Sequence, residues 1–148
     1  ITEILSNLEG STFVKRLKAL SRAETGVAQN LDATLVDTFG ADEVPETASA
    51  TLVSISKVQE TSAQRASMVR EDLAAYIERM KSAGKDAAKF ATVHKEMGDV
   101  GVTREMAAIH DLAEVSRPGE AIAGAENLAD DLDRWAETLV GPGCKGAT

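Results

Sequence analysis

From Leu52 to Met80 one stripe of residues recurs at spacings of three and four: Leu52, Ile55, Gln59, Ser62, Ala66, Val69, Leu73, Tyr76 and Met80. No Gly or Pro interrupts it. That alternation puts the stripe on one side of a single long helix. So narrow a seam does not stabilise a solitary helix in water, so the rest of the chain has to supply its partners.

A second stripe precedes it. Phe13, Leu17, Leu20, Glu24, Val27, Leu31, Thr34 and Thr38 follow the same spacing, with Val14 and Leu35 widening the apolar face. Ser11 or Thr12 is the expected N-cap of this helix. Ile4, Leu5 and Leu8 would then form a separate short turn ending at Gly10. Gly26 lies inside the helix at about 1 kcal/mol of propensity relative to Ala. Gly40, Asp42 and Pro45 break the chain before the next helix, and so short a loop folds the two long helices antiparallel. Folding at residues 44–46 sets Phe13 against Tyr76, Leu17 against Leu73 and Leu20 against Val69. The same register brings Leu31 near Gln59, Leu35 near Ile55, and Glu24 near Arg65 and Ala66.

Beyond Gly84 the apolar spacing predicts three shorter helices. They span about residues 86–98, with Phe90, Val93 and Met97, about 104–115, with Met106, Ile109 and Leu112, and about 120–140. The last carries Ile122, Ala125, Leu128, Leu132, Trp135 and Leu139. The segment from Gly98 to Thr103 is the break between the first two, which together equal one long helix and form one broken arm. Ala121-Ile-Ala-Gly-Ala125 suits close helix contact. The expected fold is therefore all-α, an antiparallel helical bundle with a long helical hairpin and three shorter helical segments. Aromatics are only 3% of residues, which argues against a sheet core built of aromatic and β-branched residues. With 148 residues the chain suits one bundle domain over 1–140 and a flexible Gly-rich tail over 141–148. It starts at Ile1, as either processing or excision from a longer protein would leave it.

Composition narrows the functional classes. The formal charge is −8, from 24 acidic and 16 basic residues, which disfavours nucleic acid as a partner. The densest basic strip, Lys15, Lys18 and Arg22 on one helix face with Arg16 turned away, lacks the interleaved aromatics of a nucleic-acid surface. It reads as a flank complementing acidic helices, or as a patch for an acidic protein. No apolar run approaches the roughly 20 residues that cross a bilayer.

His94 and His110 are the only histidines. His110 and Glu114 lie one turn apart, with Asp99 and Asp111 as further oxygen donors nearby in sequence, which makes a weak metal candidate. Neither a His-Glu-x-x-His motif, nor paired Glu-x-x-His motifs, nor an EF-hand loop is present, so no metal and no cofactor is expected. Cys144 is the lone cysteine; its Gly-flanked setting suits an intermolecular disulfide better than nucleophilic catalysis. Gly-x-Ser-x-Gly and Ser-x-x-Lys are also absent.

The favoured expectation is thus a non-catalytic scaffold or protein-interaction module, with self-association or a protein partner along the long helices. The alternative is a sensor-type bundle that binds a small solute in the polar layer of Glu24, Gln59, Ser62 and Arg65. An enzyme with an unrecognised active site comes third. Glu24 itself is expected at the bundle's edge, its carboxylate reaching Arg65 or solvent.

Overall fold

A computed structural model describes the backbone of residues 2–38, 46–114 and 118–140. Side chains are described from Leu8 to Thr34, Ala50 to Ile109, at Asp111, and from Gly119 to Val140. The chain is an all-α bundle: α1 Thr2–Thr38, α2 Glu46–Ser82, α3 Ala88–Val100, α4 Val102–Glu114 and α5 Pro118–Val140. No strand occurs among the described residues.

Cross-helix contacts give each helix its direction. Arg16 meets Asp72 at 2.8 Å and Arg79 meets Glu9, so α1 and α2 run antiparallel. Lys18 meets Asp133 at 3.2 Å and the Ser21 hydroxyl donates to the Ala129 carbonyl at 3.1 Å, which sets α5 antiparallel to α1. Arg134 reaches Glu96 at 2.6 Å, and Lys89 Nζ donates to the Leu139 carbonyl at 3.0 Å, so α3 opposes α5. The third and fourth helices together complete the square, packed between α2 and α5 and diagonal to α1.

The core forms where the stripes converge. Leu17, Leu31, Val69, Leu73, Met97, Met106, Leu132 and Trp135 are fully buried. Phe13, Tyr76 and Phe90 close one end as an edge-to-face cluster, with Phe13 and Tyr76 centroids 5.5 Å apart and Tyr76 and Phe90 4.8 Å apart. Arg134 lies over the Trp135 ring, 5.6 Å from its centroid, while pairing with Glu96.

Three features differ from the sequence expectation, and a fourth lies outside it. First, α1 runs unbroken through Gly10, and Ser11 and Thr12 turn their hydroxyls back to the Leu8 and Glu9 carbonyls instead of capping a new helix. Gly10 is there for room: a Cβ on it would lie 3.2 Å from Phe90 Cζ. Second, the break between α3 and α4 is one residue wide. Gly101, at φ 69°, caps α3 by donating to the Met97 carbonyl and accepts from Glu105 N–H to start α4. A left-handed residue needs glycine there, and one such residue suffices to redirect the arm. Third, Pro118 opens α5, where its missing N–H leaves no hydrogen bond unmade.

Fourth, α1 packs more extensively against α5 than against α2. Small residues at that seam explain it. Ala121, Ala125, Ala129 and Ala136 are buried along α5, and the approach is close enough for the Ser21–Ala129 bond. Gly124 faces the other way; a Cβ on it would lie 3.0 Å from Ile109 Cγ1 of α4.

The end of α2 shows the expected role of glycine. Gly84, at φ 72°, donates to the Lys81 carbonyl while Lys85 N–H reaches back to Met80, the paired bonds of a Schellman cap. Asp86 then accepts from Ala88 N–H at 2.9 Å and orients the first turn of α3. The hairpin residues Gly40, Asp42 and Pro45, the Leu35 side chain and the tail fall outside the described residues.

Candidate functional site

A stripe at three–four spacing brings polar residues inward wherever they fall on it. Glu24 on α1 and Gln59 and Ser62 on α2 fall on it, and all are buried. Glu24 is 0% exposed and Gln59 1%. Gln59 Nε2 donates to Glu24 Oε2 at 2.8 Å. Glu24 Oε1 and Gln59 Oε1 are left without a hydrogen-bond partner.

Arg65 does not join this layer. It lies one position off the inward stripe, is exposed, and borders a separate groove between α1 and α2 with Ala23 and Met68. Keeping the guanidinium hydrated costs less than desolvating it beside a second buried charge. The expectation that Glu24 sits at the bundle's edge and reaches Arg65 or solvent is therefore corrected. Its partner is an amide six positions earlier in α2, and it is sealed inside.

Sealing has an electrostatic consequence. Desolvation raises the Glu24 carboxyl from 4.5 to about 7, opposed by the Gln59 hydrogen bond, which favours the charged form. No cation among the described residues offsets the burial. The pair as it stands is one donor short. The amide hydrogen is spent on Glu24 Oε2, and an ionised carboxylate has none to give back. A proton on Glu24, or an N–H brought from outside, supplies what is missing.

Gln59 also lines an open groove of about 540 Å³ between α2 and α4. Its α2 wall carries Gln59, Ala63 and Ser67 at one-turn intervals, flanked by Glu60 and Gln64. Its α4 wall carries Thr103, Ala107 and Asp111 at the same interval, with the buried Met106 beneath. Sequence reasoning did not collect these residues. The i, i+4 repeat on α4 was visible, but which α2 flank it would face depends on the turn at Gly101.

The other candidates are scattered. Lys18 is half-buried and engaged by Asp133 and by Glu137 at 3.6 Å, so it neutralises α5. Lys15 and Arg22 remain exposed; Arg22 borders a polar groove with Thr25 and Gln29, and Lys15 one at the aromatic end with Val14 and Leu139. His94 sits half-buried on α3, where desolvation first and the nearby Arg70 charge second lower its pKa. The side chains of His110 and Glu114, and all of Cys144, lie outside the described residues. Among the described residues no group of three or more His, Cys, Asp or Glu side chains converges as a metal site would require. None of the described helices is long and apolar enough to cross a membrane.

No protein-family model, curated protein or solved structure matches this chain. Its function has to be argued from its own geometry.

Proposed function

We propose that this bundle is a non-catalytic binding protein that takes a small solute in the groove between α2 and α4. One observation carries the reading: Gln59, one of the residues lining the groove, is almost wholly buried and its Oε1 has no hydrogen-bond partner in the bundle. Buried polar atoms are nearly always satisfied, and the exceptions mark places where something else binds or titrates. Among the larger grooves of the described residues, this one alone is lined by a residue that carries such an atom. Its volume of about 540 Å³ falls within the range of small-molecule sites, and its lining is mostly apolar with a few polar groups.

The test is a thermal-shift screen of small solutes on the intact chain and on Ala107→Trp. Ala107 is exposed on the groove wall, so an indole there fills the groove while leaving the core untouched. Solutes that bind are expected to raise the melting temperature of the parent and to lose that effect in the variant. Equal shifts in both proteins, or none in the parent, contradict the reading.

A second reading, the scaffold or protein-interaction module, draws on α2 alone. Val53, Val58 and Met68 stand exposed there, and single apolar residues of this kind are also ordinary on a monomer surface. Light scattering after size exclusion, with and without reductant, tests its self-association form. A reductant-insensitive dimer supports contact through the helices, and loss of the dimer on reduction assigns it to Cys144. A monomer in both conditions contradicts self-association.

A further inference from the structure

We propose that the α2–α4 groove takes a small organic cation, a compact ammonium head on a short apolar body. The inference rests on that groove being the binding site, and adds the class of ligand. Three observations point the same way.

The first is the direction of the Gln59 amide. Its N–H is committed to Glu24 Oε2 at 2.8 Å, so the end left over is the carbonyl oxygen. At pH 8, where Glu24 is ionised, the opposite amide orientation would set an oxygen against the carboxylate, so the carbonyl is the spare end there. A spare buried acceptor calls for a donor. An ammonium group offers donors and no acceptor, whereas a carboxylate or phosphate offers the reverse.

The second is the charge of the lining. Glu60 and Asp111 stand on opposite walls, and no Lys, Arg or His is among the described residues that line the groove. An anion entering there would meet the Glu60 carboxylate as a like charge, and a cation would meet it as an opposite one. Behind Gln59 lies the Glu24 carboxyl, which no described cation neutralises. The third is shape. Ala63, Met106 and Ala107 leave an apolar surface between the walls, beside the almost wholly buried Gln59. That combination selects a small polar head and a hydrocarbon body.

The experiment titrates three probes of similar size into the full chain at pH 8: cyclohexylammonium, cyclohexanol and cyclohexanecarboxylate. Methyl NMR of Met106 reports the groove, and Met68, in the separate α1–α2 groove, is the reference. Cyclohexylammonium is expected to shift Met106 saturably and to bind at least about tenfold tighter than cyclohexanol, consistent with a charge-assisted bond worth more than a neutral one. Cyclohexanecarboxylate is expected to leave Met106 unmoved. The exposed substitution Glu60→Gln is expected to weaken cyclohexylammonium about threefold and cyclohexanol not at all. Glu60 is at the surface, so the fold is retained whatever the outcome for binding. Equal affinity for cation and alcohol, or tighter binding of the carboxylate, overturns the ligand class and leaves solute binding in the groove standing. No shift at Met106 with any probe overturns both.

Discussion

Glu24→Gln is expected to stabilise the protein by about 3 kcal/mol at pH 8 and to leave it unchanged below pH 4.5. The carboxyl has its ordinary value of 4.5 when unfolded and about 7 when folded. Below pH 4.5 it is protonated in both states and adds no pH dependence. Between pH 4.5 and about 7 the unfolded chain releases the proton while the folded chain keeps it. Stability from this group therefore falls as pH rises, and levels off above about 7. The interval, at about 1.4 kcal/mol per pH unit, gives the 3 kcal/mol. A glutamine at position 24 imitates the protonated acid. Its oxygen accepts from Gln59 Nε2 as Glu24 Oε2 does now, and its own N–H can satisfy Gln59 Oε1. Urea denaturation of parent and variant from pH 4 to pH 8 measures the difference directly. Taking the difference cancels the other carboxylates, such as Glu96, which Arg134 holds below its ordinary value and which slopes the opposite way. Equal stabilities at pH 8 would mean that Glu24 is solvated or paired in the folded state.

Trp135→Ala is expected to cost about 3–5 kcal/mol, the range for removing a large buried aromatic. Trp135 is the largest fully buried side chain, on the inward stripe of α5 beneath the Arg134–Glu96 pair. The loss combines the transfer of a large apolar surface with the cavity left behind, since close-packed neighbours collapse only in part. It also uncouples Arg134 from the ring face. Val53→Ala is the matched control: Val53 is 55% exposed on α2, and its loss should stay within about 0.5 kcal/mol. Comparing the two by urea denaturation asks whether α5 is the helix that locks the bundle. A Trp135→Ala effect as small as that of Val53→Ala would contradict the packing of α5 against the core.

Much of this architecture is readable from spacing alone. The stripe from Leu52 to Met80 is a helix face in α2, the Phe13–Tyr76 pairing follows from folding the hairpin, and α3 with α4 acts as one interrupted arm. These follow from periodicity and from where Gly84 and Gly101 can stop a helix. What was misread depends on tertiary neighbours. Gly10 resembles a helix end until Phe90 is seen to need the space above it. Spacing is silent on the close approach of α1 to α5, where the small Ala129 lies against Ser21 and its value is the distance it permits and not apolar area. Glu24 falls on the stripe, yet the cost of burying a charge points to the bundle's edge and Arg65; that it is buried against Gln59 instead turns on two desolvation costs that spacing does not show. The α4 wall of the groove was legible only as an i, i+4 repeat with no known face.

Glu24 is sealed in the bundle with an amide and, among the described residues, no cation. Selective 13C labelling of glutamate and a pH titration of the Glu24 carboxyl resonance, assigned through Glu24→Gln, tests it most directly. A midpoint near pH 7 is predicted, with Gln59 signals moving in step. A midpoint at or below 4.5 would place Glu24 in water or beside a positive charge, and would contradict both the buried pair and the binding site built on it.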